Sequence, residues 1–302
     1  VNTPARAVPP PDPPAGRDGT FEEAGMKTAS LEGKAAIVTG GGRGLGHAMA
    51  LGLARAGASV VISAARQADE IRTVAHDINV MVGARRVVAL QADVTQEADC
   101  RRLVDEAIAA FGGLHILVNN AGRGMKYVSA AFLTEPTRFW EVDSDTWRTI
   151  VDTNVNGPFL MARAAVPHML RQHWGRIINI TMNHDTMRRA GFSPYGPSKA
   201  ALESETVIWA QDLAGTGVTV NGLLPGGATD TGMIPDGVSE AVRRQLLRPE
   251  VMVEPLVWLS SEASADITGT RLDAARWDSA LAPERAAADA LEHAGWANQS
   301  SH

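Results

Sequence analysis

Thr39-Gly40-Gly41-Gly42-Arg43-Gly44-Leu45-Gly46 follows the short apolar run Ala35-Ala36-Ile37-Val38. It precedes a helical pattern from Leu45 to Ala56, with Met49, Leu53 and Ala56 on one side. A strand, a glycine turn and a helix in that order form the context of a phosphate site. Glycine lets backbone approach a ligand closely, and unpaired N–H groups at a helix start attract anions. The stretch therefore predicts a nucleotide pyrophosphate bound where the first strand meets the first helix. Without those flanks, the same glycines would predict only a turn.

The units that follow repeat the alternation. Ser59 to Ser63 reads as a buried strand, followed by a helix from about Ala68 to Val82. Val87 to Leu90 leads into Asp93-Val94 and a helix from about Glu97 to Phe111. Leu114 to Val118 is a fourth strand, ending in Asn119-Asn120-Ala121-Gly122. After a long connection come a helix from about Asp145 to Gln172 and a fifth strand, Arg176 to Ile180. Tyr195 to Leu213 reads as helix, Val218 to Leu224 as strand, Pro249 to Ser261 as helix, and Gly269 to Leu272 as the opening of a last strand. Short apolar runs between helical patterns predict an α/β fold: a doubly wound parallel sheet in three α/β/α layers, as a single domain.

The chain has 302 residues, 45% hydrophobic and 21% charged, with a net charge of −6. That balance argues against nucleic acid or an anionic membrane as the main partner. No apolar run reaches the roughly 18 residues of a membrane span. The single cysteine, Cys100, cannot form an internal disulfide and suits a reducing, cytoplasmic compartment. No metal site is expected. Residues 1–26 read as a proline-rich disordered leader, with six prolines in the first fourteen positions, and Met26 is a candidate start of the protein. The domain is expected over 27–276 and a C-terminal tail over 277–302. The tail's alanine-rich stretch, Glu284 to His293, is read as a helix that either packs on a neighbouring subunit or frays.

Thr39 to Gly46, Asp93-Val94, Asn119 to Gly122, Tyr195-Gly196-Pro197-Ser198-Lys199 and Pro225-Gly226 occur in this order. Together they resemble the short-chain dehydrogenase/reductase family over roughly residues 30 to 272. The resemblance implies a Rossmann-type domain, a nicotinamide cofactor and a homo-oligomer, dimer or tetramer. It implies that Gly40, Gly42, Arg43, Gly44, Leu45 and Gly46 hold the pyrophosphate. Asp93 and Val94 would flank the adenine, with Asn119, Ala121 and Gly122 near the cofactor ribose. Pro225, Gly226 and the Ala228 backbone would cover the nicotinamide, helped by Thr229 or Thr231. Asn154 would steady a water linked to Lys199, and Lys199 would grip the nicotinamide ribose. The residues alone leave plainer readings open: Asp93 as a helix start, Asn119-Asn120 as turn formers, Asn154 as a polar helix residue.

Tyr195 and Lys199 are four apart in a helical stretch and so share one face. A free tyrosine, with a pKa near ~10, is a poor acid–base catalyst at neutral pH. A nearby ammonium favours the phenolate, so Lys199 is expected to lower the pKa of Tyr195. The pair then reads as a tuned proton donor. Pro197 fits the first turn of that helix.

One position departs from the family. It normally places a serine thirteen residues before the tyrosine, and here that position is Met182, which has no proton to donate to a carbonyl oxygen. Losing such a donor costs on the order of a hundred- to thousandfold in rate. Three accounts stay open. Thr181 or Asn183 supplies the donor, Asn183 through its amide N–H2. Alternatively the substrate is an imine, which needs no oxyanion hole. Or the chain binds cofactor without catalysis. His184 and Asp185 either line the pocket or face solvent.

An acidic residue about twenty positions after the glycine turn usually takes the ribose hydroxyls of NAD. No acid stands at Ala64, whereas Arg66 lies nearby and Arg43 sits in the turn. Two guanidinium groups suit a 2′-phosphate, so NADP(H) is expected. Met125, Tyr127, Phe132, Leu133, Phe139 and Trp140 in the connection after Gly122 read as a lid or wall of an apolar substrate pocket, or as packing within the fold. The reading that results is an NADPH-dependent reductase of a ketone or aldehyde, with Tyr195 as proton donor. Its alternatives are an imine reductase and a non-catalytic NADPH-binding regulator.

Overall fold

The computed structural model describes residues 30–295. The leader, Met26 and the end of the tail lie outside the described residues. Eight strands make one sheet: β1 (Ala35–Thr39), β2 (Ser59–Ala64), β3 (Val87–Gln91), β4 (Ile116–Asn119), β5 (Gly175–Ile180), β6 (Val218–Leu224), β7 (Thr270–Asp273) and β8 (Leu291–His293). Their spatial order is β3-β2-β1-β4-β5-β6-β7-β8. The first seven run parallel, and β8 runs antiparallel to β7. The order reverses between β1 and β4, and the C-terminal ends of those strands open the crevice where such sheets bind ligands.

β1, β4, β5 and β6 are buried along their whole length, as expected of strands covered on both faces. Side-chain alternation splits them between two cores. Ala36, Val38 and Ile62 face one layer with α1 (Gly44–Arg55), α2 (Ala68–Val82) and α9 (Val253–Leu259). Ile37, Val61 and Leu117 face the other, with α3 (Glu97–Phe111) and α5 (Gly157–Gln172). Each such buried aliphatic side chain contributes roughly 1.5–3 kcal/mol. Helix α7 (Tyr195–Asp212) joins the second layer through Ala210. No helix among the described residues is long and apolar enough to cross a membrane.

The structure corrects two of the expected elements. The single helix expected from Asp145 to Gln172 is α4 (Ser144–Val151), a π-helical turn at Asp152–Asn156, and then α5. The cause is local: Pro158 has no N–H for the Asn154 carbonyl four residues back, and the Gly157 N–H bonds the Asp152 carbonyl instead. The helix expected from Glu284 to His293 is α10 (Pro283–Ala290), and the chain then turns into β8. That segment packs within the described chain. Ala286, Ala287 and Ala290 are buried on its own domain, and Leu291 pairs Leu272 across the sheet edge. Among the described residues, α6 (His184–Met187) and α8 (Glu240–Arg243) are short α-helices.

Candidate active site

The glycine turn forms the floor of the crevice. Gly40 has φ +66°, in the left-handed region, and a Cβ on Gly46 would stand 2.2 Å from the Gly40 carbonyl oxygen. Only hydrogen fits there, so the backbone closes into a tight cradle at the start of α1. The strand ends brace it. The Thr39 hydroxyl accepts from the Asn120 and Ala121 N–H groups, both at 3.0 Å. The Asn120 amide donates to the carbonyls of Thr39 (2.8 Å) and Gly40 (3.0 Å).

A cleft of about 520 Å3 runs over this cradle. Gly40, Gly42, Arg43, Gly44, Leu45, Gly46, Arg66, Asp93, Val94, Ala121 and Gly122 line it, all expected from the sequence. The cradle and the two arginines fit a dinucleotide with its phosphates on the glycine turn. Ser63, Asn120, Arg123, Thr153, Thr231 and Met233 line it too and were not among the expected contacts, Thr231 apart. Asn119 differs from expectation: its buried side chain turns into the sheet, donating to Asn179 Oδ1 at 2.9 Å, and Asn120 takes its place at the cleft. Pro225, Gly226, Ala228, Tyr195 and Lys199, also expected at the cofactor, stand outside the lining. Of the two threonines, Thr231 lines the cleft, whereas the Thr229 hydroxyl turns back to the Gly227 carbonyl at 3.2 Å. Asp93 also holds a turn, accepting from the Thr95 N–H and hydroxyl.

Asn154, which is fully buried, ties Arg123 of the cleft lining to helix α7. Its Oδ1 accepts the Arg123 N–H (2.8 Å), and its Nδ2 donates to the Arg123 carbonyl and the Ser198 hydroxyl, both at 3.0 Å. The Ser198 hydroxyl donates to the Tyr195 carbonyl at 2.7 Å. The Asn154 side chain is thus a brace between the loop after β4 and the first turn of α7. Pro158 leaves the Asn154 carbonyl without its usual helical donor, so any link to a water falls to the backbone.

Tyr195 and Lys199 open α7 on one face. Lys199 Nζ donates to the Ile180 carbonyl, at the end of β5, at 2.6 Å. Burial pushes the phenol up to about 12 and the ammonium down to about 8. This corrects the expectation that Lys199 lowers the Tyr195 pKa. The lysine is buried and the tyrosine half-buried, and one of the three ammonium N–H donors goes to a carbonyl. The phenol therefore keeps its proton at neutral pH.

Beside Tyr195 the wall is apolar. Met125, Phe132 and Phe192 are buried together, with Val128, Met182 and Tyr195 packed against them. The two phenylalanine rings meet edge to face at 5.9 Å. Of the expected wall residues, Met125 and Phe132 join this cluster, and Tyr127 lines the cleft with the Arg123 guanidinium 4.5 Å above its ring. Leu133, Phe139 and Trp140 are exposed.

The loop that carries Met182 offers two candidate donors. The Thr181 hydroxyl is buried and donates to Glu203 Oε1 at 2.9 Å, so it is committed away from the pocket. Asn183 caps α6, its Oδ1 accepting the Thr186 N–H at 2.8 Å. The cap uses the oxygen end, and the N–H2 end is the one a substrate oxygen would need. His184 Nε2 lies 3.5 Å from Glu203 Oε2, whereas the Asp185 side chain is exposed. Glu203 escaped the sequence reading. Its spacing of four from Lys199, on a face already marked as inward, was the available signal.

A family profile described as short chain dehydrogenase matches residues 34–240. A short-chain type dehydrogenase/reductase of Picea abies is 38% identical over 216 residues, 70% of this chain and 76% of its own. A 3-oxoacyl-acyl-carrier-protein reductase of Staphylococcus aureus is 32% identical, over 71% of this chain and 81% of its own. Among solved structures, a short-chain type dehydrogenase/reductase from Mycobacterium marinum superposes with a TM-score of 0.69 at 30% identity, covering 80% of this chain and 94% of its own. A candidate NAD(P)-dependent gluconate 5-dehydrogenase from Beutenbergia cavernae, with NADP bound at low occupancy, gives 0.70 at 30% identity, covering 81% and 96%.

Proposed function

The chain belongs to the short-chain dehydrogenase/reductase family and is an NAD(P)-dependent oxidoreductase; from that premise we propose that it reduces a ketone or aldehyde to the alcohol with NADPH. One observation carries the reading: a half-buried tyrosine one helical turn from a buried lysine, set beside an apolar wall and braced to a nucleotide cleft. When bound, the nicotinamide supplies the hydride for the carbonyl carbon. Tyr195 gives its phenolic proton to the developing oxygen anion, which as an alkoxide is the stronger base of the two. Lys199 holds the cofactor ribose and, through Ile180, ties the start of α7 to β5. Arg43 and Arg66 take the 2′-phosphate, a choice supported by Ala64 standing where an acid would serve NAD. Asn183 is the donor that replaces the missing hydroxyl at Met182. An assembly of two or four copies is supported by exposed Phe159 on α5 and Ile208 on α7.

A second reading, reduction of a cyclic imine, is favoured by Met182 itself. A thioether on the same apolar cluster as Tyr195 offers no hydrogen to a substrate oxygen, and a protonated C=N carbon is already electrophilic. The test is NADPH oxidation against a panel of ketones and imines. Tyr195→Phe should lose about a hundredfold or more of the wild-type kcat. Turnover of imines alone sinks the carbonyl reading. Tight NADPH binding with no turnover leaves a regulator.

A further inference from the structure

Behind the loop that carries Met182 lies a buried charged hub that the catalytic reading does not use. Glu203 and Arg271 are each about 2% exposed, and their side chains meet at 2.9 Å. Glu203 Oε1 accepts from Arg271 Nη1 and from the Thr181 hydroxyl, both at 2.9 Å. Its Oε2 accepts the Gly295 N–H at 3.0 Å and lies 3.5 Å from His184 Nε2. Arg271 Nη2 donates to the Met182 carbonyl at 3.2 Å, and its Nε is 3.3 Å from Glu292 Oε2. One carboxylate thus gathers the loop after β5, helix α7 one turn beyond Lys199, strand β7 and the segment that follows β8.

We infer that Glu203 is a positioning residue for the reductase step, a claim that rests on the function proposed above. A buried ion pair is a poor source of stability, because desolvation offsets most of its attraction. What this pair does hold is geometry. Thr181 and the Met182 carbonyl stand on either side of one peptide link, and the hub grips both. Two such grips leave the 181–184 loop little freedom. That loop carries Asn183 and sets Met182 on the apolar cluster that Tyr195 also packs against. Lys199 donates to Ile180, the residue before the loop, so α7 holds this segment at two successive turns, through Lys199 and through Glu203. The Gly295 N–H and Glu292 bring the C-terminal segment into the same unit. Misplacing a reacting group by about 1 Å costs on the order of a hundredfold in rate, so a loosened loop should be felt in kcat.

Two variants test this, each against wild type. Thr181→Val removes one hydroxyl and keeps the shape. Glu203→Leu with Arg271→Met replaces both charges by apolar groups, a change that buried pairs often tolerate without loss of stability. Three quantities are read: kcat, the Kd for NADPH, and hydrogen exchange of the 181–187 backbone amides. We expect kcat to fall by about tenfold or more in both variants. The NADPH Kd should stay within about twofold, and amides 181–187 should exchange about tenfold faster. Wild-type kcat in a folded double variant overturns the inference, and so does unchanged exchange in Thr181→Val. If the double variant fails to fold, Thr181→Val alone decides on the same criteria. A wild-type protein that reduces nothing defeats the proposed function instead, and the exchange measurement still decides the claim about the loop.

Discussion

At the scale of single residues, the proposed reaction turns on the protonation state of Tyr195. Reduction uses the protonated phenol, and burial holds that proton up to about pH 12. Alcohol oxidation needs the phenolate, whose fraction rises tenfold per pH unit below the pKa. Ketone reduction should therefore stay flat in its dependence on the phenol from pH 6 to 8. Alcohol oxidation should climb with a log–log slope near one and show no plateau below about pH 10. Steady-state rates in both directions check this, and an oxidation plateau near neutral pH would mean that the phenol ionises far more readily in the working enzyme. Arg66 makes a second prediction at this scale. It is exposed at the cleft edge, so Arg66→Ala should raise the KM for NADPH by about tenfold, at the low end of a charge-assisted contact. The KM for NADH should stay unchanged, and an equal rise for both cofactors would remove the 2′-phosphate assignment.

At the scale of elements, α7 is the working helix and carries a cost of its own. Glu205 is largely buried on it, its Oε2 has no hydrogen-bond partner among the described residues, and burial raises its pKa to about 7. Between the ordinary carboxyl range and pH 7 the folded chain keeps a proton that the unfolded chain has lost. Stability from this group therefore falls as pH rises through that window, and the full cost is present above pH 7. Glu205→Gln should raise the Tm at pH 8 and leave it nearly unchanged at pH 4.5, as thermal melts at the two values would show. Melts displaced equally at both would point to packing instead of charge. The helices themselves were legible to different degrees. α2 and α3 match the expected bounds, because their apolar stripes and terminal glycines are local signals. The break between α4 and α5 was not read, although Pro158 announces it, because an apolar period continues across a π-turn.

For the whole molecule, the cleft joins β1, β2 and β4 with the loops beyond them, so cofactor binding should stabilise the entire domain. At a hundredfold excess over Kd, a ligand that binds only the folded state adds about 2.7 kcal/mol. In a domain of this size that corresponds to a rise in Tm on the order of 5 °C. NADPH should produce this shift and NADH a smaller one at equal concentration, measured by differential scanning fluorimetry. No shift with either would place the nucleotide elsewhere.

The linear order of residues determined the layered α/β architecture, the glycine cradle and the pairing of Tyr195 with Lys199. Each depends on spacing within one strand, turn or helix, and such spacing survives in a one-dimensional record. Only the folded chain decided that Asn120 and not Asn119 faces the cleft, that Thr231 and not Thr229 lines it, and that Lys199 gives one of its donors to Ile180. It also decided that Glu203, Arg271 and Gly295 meet behind the Met182 loop. These depend on which way a side chain turns and on contacts between residues up to 92 positions apart, which are set by how the sheet brings distant strands together.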